Sequence, residues 1–184
     1  MLFRSSATAG DATQPMQRVE TPGVKTIEQA CEALNCQPHE LLKTLIVAGD
    51  EGPVALVLRG DHELNAVKAA KLDGISSPLR MAEPGEIVAA TGAPPGSVGP
   101  VGLSIPVLVD HAAGIVSDFA CGANEKRAHL TGVNWHRDLP LPDTVDLRNV
   151  VGGDPSPTGK GTLSIARGIE VGHIFQLGKT YSSA

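Results

Sequence analysis

Two short runs, Thr44–Val47 and Val54–Leu58, flank the segment Gly-Asp-Glu-Gly-Pro at positions 49–53. Short aliphatic, β-branched runs separated by turn formers read as two neighbouring strands joined in a hairpin. The same punctuation recurs along the chain. Twenty-one glycines and 14 prolines in 184 residues suit many turns and argue against a helical bundle. Helices are nevertheless signalled early. Thr26-x-x-Gln29 forms a capping box ahead of a stripe of Ile27, Ala30, Cys31 and Leu34, which predicts a first helix. A further turn of helix is expected from Pro38 to Lys43. Asp61 is placed to cap a helix carrying Leu64, Val67 and Leu72, with Lys68 and Lys71 on its outer face. A short helix from Pro84 to Ala90 should end at Gly92.

Beyond Gly92 the texture changes to a Gly/Pro loop, Gly92 to Pro100. Strand-like runs follow at Val107–Asp110, Ile115–Phe119 and Leu130–Trp135, joined by turns at His111–Gly114 and Gly122–Ala128. A Pro-rich stretch from Leu139 precedes two more such runs, Thr162–Ala166 and Val171–Phe175. The expected fold class is α/β (α+β): a mixed, largely antiparallel sheet flanked by helices.

Composition limits the function classes. No run approaches the roughly 20 apolar residues of a membrane span, and the start, MLFRSSATAGDATQP, lacks the apolar run of a signal peptide. The formal net charge is −5. A protein that coats nucleic acid should be basic, so no DNA partner is expected and any nucleic-acid contact must be local. Five aromatics, Phe3, Phe119, Trp135, Phe175 and Tyr181, are too few for a base-stacking platform. Three cysteines, at 31, 36 and 121, fit a reducing, cytoplasmic location and make a poor zinc set, so no metal site is expected.

The familiar nucleophile, zincin and phosphate-loop motifs are absent, which leaves chemistry to dispersed groups. Gly96-Ser97-Val98-Gly99-Pro100 offers consecutive backbone N–H groups that can converge on an oxyanion or phosphate; an ordinary surface turn has the same composition. Lys43, between Leu42 and Thr44, reads as a lysine facing a cleft or as one snorkelling at an element end. Asp110 ends a strand, where aspartate commonly shapes a turn. His129 opens a strand as a site residue or a satisfied structural histidine. His62, His111 and His136 read as structural or turn residues.

Taken in order, the strings are specific. They are Glu20-Thr-Pro-Gly-Val-Lys-Thr-Ile, Leu42-Lys-Thr-Leu, Arg59-Gly-Asp-His-Glu-Leu-Asn65, Gly96-Ser-Val-Gly-Pro100, Ser117-Asp-Phe-Ala-Cys-Gly-Ala-Asn124, Gly132-Val-Asn-Trp-His-Arg-Asp138 and Asp146-Leu-Arg-Asn-Val-Val-Gly-Gly-Asp-Pro-Ser-Pro157. From Val19 to Tyr181 the chain closely resembles the insertion (editing) domain of bacterial-type prolyl-tRNA synthetase, within the YbaK-like family of aminoacyl-tRNA deacylases. Gly168-Ile-Glu-Val-Gly-His-Ile-Phe-Gln-Leu-Gly178 resembles the stretch where such a synthetase re-enters its class II core. The expected organisation is therefore a flexible arm or cloning boundary at 1–18, an editing domain at 19–145, and a segment returning towards the synthetase core at 146–184.

What the resemblance implies is hydrolysis of mischarged tRNA(Pro), chiefly Ala-tRNA(Pro), with no aminoacylation by this stretch alone. Lys43 matches the family lysine that engages the tRNA end, and Gly96, Ser97, Val98, Gly99 and Pro100 match its GxxxP loop. His129 matches the pocket histidine that helps exclude the cognate amino acid, and Asp110 a site-lining acid. Thr21, Ile27 and Ala30 match pocket positions; Ala30 is smaller than the aliphatic residue the family can carry there. The implied partners are the CCA end of aminoacyl-tRNA(Pro) and the remainder of a synthetase chain. No cofactor is implied for editing, ATP and magnesium belonging to the synthetase core. A free-standing trans-editing deacylase and a non-catalytic structural or tRNA-binding insertion are the alternatives.

Overall fold

The computed structural model describes residues 10–168 and Gly172. Two compact units divide the chain, the first ending at Asn149 and the second beginning at Val150.

In the first unit the elements run β1 (Gln17–Glu20), α1 (Ile27–Leu34), a 3-10 turn (Pro38–Glu40), β2 (Leu42–Ala48), β3 (Pro53–Arg59), α2 (Ala66–Ala69), α3 (Pro84–Thr91), β4 (Val107–Asp110), β5 (Phe119–Gly122), β6 (Ala128–Val133) and β7 (Thr144–Val145). They form a mixed α/β fold, as expected, but with two sheets. One has the order β2-β3-β4-β7 and the other β1-β6-β5. The β2–β3 hairpin is antiparallel, with Lys43 opposite Leu58 and Val47 opposite Val54. β3–β4 and β4–β7 are parallel. The three-stranded sheet is antiparallel throughout, and a bridge between Leu41 and Ala120 joins the two sheets.

β3 explains the core. Val54 to Leu58 are all buried, because both faces of this strand are covered. Val54, Leu56 and Leu58 pack with Val47, Ala69, Ile75 and Leu147. Val57, pointing the other way, packs with Leu42, Val109, Phe119 and Trp135. The period-two alternation of a strand thus feeds two separate clusters.

Local signals hold where they are strong. Thr26 caps α1, its Oγ1 accepting from the Gln29 N–H while the Gln29 side chain accepts from the Thr26 N–H. α3 ends at Gly92 in the left-handed region, at φ 74°. Elsewhere tertiary pairing overrides them. The helix expected over Pro38–Lys43 stops at Glu40, and Lys43 lies in β2, where a seven-residue ladder with β3 wins. Asp61 does not cap a helix; its carboxylate takes the Arg59 guanidinium, and Asn65 caps the four-residue α2. The strand expected at Ile115–Phe119 forms instead at Phe119–Gly122. The backbone N–H groups of Ala113 and Gly114 both donate to the Asp110 carbonyl and so continue a turn. The strand expected at Leu130–Trp135 begins two residues earlier, at Ala128.

Residues assigned to the N-terminal arm take part in the fold. Gln17 and Arg18 pair with Thr131 and Leu130, and the Asp118 carboxylate accepts from the N–H groups of Thr13 and Gln14. In the second unit, the Gly153 N–H donates to the Leu163 carbonyl and the Leu163 N–H to the Asp154 carbonyl, and Pro155 bridges Thr162. That is all the strand pairing within the expected run Thr162–Ala166. Val171–Phe175 and His173 lie outside the described residues, Gly172 excepted. Among the described residues no helix is long and apolar enough to cross a membrane.

Candidate active site

A cleft of about 450 Å³ opens between the β1–α1 connection, the start of β2 and the Gly96–Pro100 loop. Three of its sides come from distant parts of the chain. Ile27 and Ala30 come from α1, Lys43 and Thr44 from β2, and Gly96 and Val98 from the loop, while Gly122 and His129 face each other across β5 and β6. Six of the residues expected from sequence therefore line one cavity: Lys43, His129, Ile27, Ala30, Gly96 and Val98.

Lys43 is half-buried, and its Nζ donates to the Gly60 carbonyl at 3.1 Å. Burial pushes its pKa down, while the carboxylates of Glu63, Asp61 and Glu28 pull it back up. Among the described residues that carbonyl is the one hydrogen-bond partner of Nζ, which leaves donor capacity for a substrate.

His129 is 6% exposed. Its Nδ1 shares a 2.6 Å hydrogen bond with Oγ1 of Thr21, which is itself 2% exposed. Thr21 is fixed in turn by its backbone N–H, which donates to the Arg127 carbonyl. Thr21 thus stands behind the histidine and does not line the cleft. Burial lowers the pKa of His129, which favours the neutral ring.

The loop divides its labour. Ser97 N–H donates to the Pro94 carbonyl and Gly99 N–H to Asn124 Oδ1. The N–H groups of Gly96 and Val98 make no hydrogen bond among the described residues, and both residues line the cleft. Ser97, Gly99 and Pro100 do not line it. Gly99 and Gly122 pack backbone against backbone: a Cβ on Gly99 would lie 1.8 Å from the Gly122 carbonyl oxygen. Both positions need glycine for close approach.

Asp110 stands apart. It is 1% exposed, and its carboxylate accepts from the N–H groups of Ala112 and Leu147, with Arg148 Nε 3.9 Å away. It ties the turn after β4 to the segment after β7 and does not line the cleft. The orienting partner of His129 is Thr21, 108 positions away. Sequence reasoning also passed over Thr44 at the cleft, whose buried Oγ1 has no hydrogen-bond partner among the described residues. The quoted string Leu42-Lys-Thr-Leu contained it, but nothing in that string marks the hydroxyl as unpaired. Among the described residues no group of three or more His, Cys, Asp or Glu is placed to hold a metal ion.

Residues 21–139 match the family model of the aminoacyl-tRNA editing domain, a span that contains every residue of the cleft. The chain belongs to the aminoacyl-tRNA editing domain family. Solved structures share the fold. One is a candidate trans-editing enzyme for prolyl tRNA synthetase, at 24% identity, TM-score 0.59, covering 73% of this chain and 87% of that one. Another is the hypothetical protein APE2540, at 26% identity, TM-score 0.59, covering 73% of this chain and 92% of that one. A third, from work on grafting epitopes onto scaffold proteins, has 22% identity, TM-score 0.58, and covers 74% and 88%.

Proposed function

We propose that this chain is an aminoacyl-tRNA deacylase that hydrolyses the ester of mischarged tRNA(Pro), Ala-tRNA(Pro) above all. The observation that carries the reading is the meeting of Lys43, His129 and the unengaged N–H groups of Gly96 and Val98 in one cleft of an editing-domain chain. An aminoacyl ester is already activated, so neither a protein nucleophile nor a cofactor is required. Lys43 holds the phosphate backbone of the CCA end. The two loop N–H groups stabilise the oxyanion that develops as water attacks, and the ribose hydroxyl beside the ester assists. His129, neutral and pinned by Thr21, walls the amino-acid pocket.

The pocket works as a steric sieve. A synthetic site rejects a smaller amino acid weakly, each methylene being worth about 1–3 kcal/mol; a second pocket too small for proline removes what the first admits. Two settings suit the activity. Matches spanning 87% and 92% of two solved chains favour a free-standing deacylase acting in trans. The insertion-domain setting rests on the resemblance of Gly168–Gly178 to a synthetase core segment. A −5 protein is compatible with either, because the CCA end is a small target.

Deacylation assays test the proposal. Purified protein should hydrolyse Ala-tRNA(Pro) and spare Pro-tRNA(Pro); equal hydrolysis of both, or of neither at high enzyme, defeats it. Adding the synthetase in trans separates the two settings: stimulation of the separate chain supports the free-standing one.

His129→Ala distinguishes wall from base. As a wall, its loss enlarges the pocket, Pro-tRNA(Pro) begins to be hydrolysed, and discrimination falls by about 10-fold or more. A general base predicts loss of Ala-tRNA(Pro) hydrolysis with Pro-tRNA(Pro) still intact. It also predicts a wild-type pH–rate inflection, displaced below 6.5 by burial of the ring, that vanishes in the variant. Assays on both esters from pH 5 to pH 8 give the answer, and an intact Pro-tRNA(Pro) in the variant removes the wall reading.

A further inference from the structure

We propose that Asn124 is a positioning residue for deacylation, fastening the Gly96–Pro100 loop so that the Gly96 and Val98 N–H groups are held ready for the oxyanion. The inference rests on the deacylase reading and deepens it. Asn124 follows β5 and grips the loop region at three points. Its backbone N–H donates to the Ser97 carbonyl at 2.9 Å. Its Oδ1 accepts from the Gly99 N–H at 2.9 Å, and its Nδ2 donates to the Val101 carbonyl at 2.7 Å. These contacts alternate with the unengaged donors: the Ser97 and Gly99 N–H groups are tied, while those of Gly96 and Val98 make no hydrogen bond among the described residues, and both residues line the cleft.

The residue type is dictated by the task. Asn124 has φ 55°, the left-handed region that asparagine tolerates better than most residues. An amide side chain carries its acceptor and donor on separate atoms, so it can take one backbone N–H and give to a backbone carbonyl at once. The neighbouring contact has no slack, since a Cβ at Gly122 would lie 2.4 Å from the Ser97 carbonyl oxygen. Held on both sides, the loop presents its donors without reorganising during the reaction, which is what makes such donors effective.

Asn124→Gly tests this without backbone strain, because glycine accepts the positive φ. With Ala-tRNA(Pro) as substrate, kcat should fall about 100-fold, the cost of misplacing reacting groups by about 1 Å. KM should stay within about threefold, and the shape of the pH–rate profile should not change. Asn124→Asp keeps the acceptor for Gly99 and loses the donor to Val101, and should lose less. A kcat near wild type in folded Asn124→Gly, or a raised KM at unchanged kcat, overturns the assignment. If Asn124→Gly does not fold, the same two readouts on Asn124→Asp decide. A second measurement is independent of activity: backbone ¹⁵N relaxation at Gly96 and Val98. Order parameters should fall from about 0.85 in the wild type towards 0.6 in the variant, and a loop equally rigid in both overturns the proposal. A wild type that hydrolyses neither ester defeats the deacylase reading, while the relaxation data still judge the role of Asn124.

Discussion

Lys43→Ala should abolish deacylation of Ala-tRNA(Pro) in a protein that still folds. The side chain is half-buried at the cleft, and among the described residues its one hydrogen bond is to the Gly60 carbonyl. Truncation removes a cation facing the substrate and little packing. The backbone at Lys43 stays paired with Leu58 in the β2–β3 ladder. The expected loss is about 2–4 kcal/mol in the barrier, the range for a group that orients or stabilises the reacting centre. Single-turnover rates beside thermal melts check it. A near wild-type rate at unchanged melting temperature places Lys43 outside the chemistry. Lys43→Arg keeps the charge in a longer, planar head and should recover part of the rate.

Gly99→Ala should be the most damaging single methyl group in the loop. Its Cβ would sit 1.8 Å from the Gly122 carbonyl oxygen and 2.7 Å from the carbonyl carbon, both backbone atoms, so no side chain can swing aside. Overpacking commonly costs about 1–3 kcal/mol, and this contact belongs at the upper end, about 3 kcal/mol. For a chain of this size that lowers the melting temperature by about 6–12 °C, and activity falls with it as the loop shifts. Gly96→Ala is the matched comparison. Gly96 has φ +84°, and its nearest neighbour to a new Cβ is the Lys25 carbonyl oxygen at 3.9 Å. Its cost is the left-handed penalty alone, about 1–2 kcal/mol. Equal melting temperatures for the two variants would refute the close approach at Gly99.

These two glycines show what a sequence does and does not disclose. The string Gly96-Ser-Val-Gly-Pro100 marks both as conformationally special, yet one is needed for its φ and the other for space against a strand 23 positions on. Features set by neighbours along the chain were readable: the Thr26 capping box, the β2–β3 hairpin and the Gly92 stop. Features set across the chain were not. β1 carries no alternation strong enough to announce itself and exists because β6 offers an edge. Lys43 followed a helix-compatible Pro38 but joined a seven-residue ladder. In the site, the ordered motifs drew out Lys43, His129, Ile27, Ala30 and the loop. They could not reveal that Thr21 holds the histidine ring, or that Asn124 takes the Gly99 N–H. Such pairings depend on geometry at separations of 25 to 108 positions.

The β5–β6 hairpin carries His129 on one strand and, directly opposite, Gly122, which abuts the loop. On the proposed reading, selectivity and reaction machinery would be mechanically coupled: a change that moves His129 would also tilt the support of the Gly96–Pro100 loop. Ala30 is tied to the same hairpin: it is 2% exposed and packs with Leu41 and with Ala120 of β5. It belongs to a separately capped helix and meets the cleft from the other side. On the proposed reading, natural or laboratory diversification of the accepted amino acid has its least costly route through half-buried Ile27 of α1, and hazardous ones through Ala30 and the hairpin. In descendants of this scaffold, substrate range would drift at Ile27 while Ala30 and the hairpin stayed still.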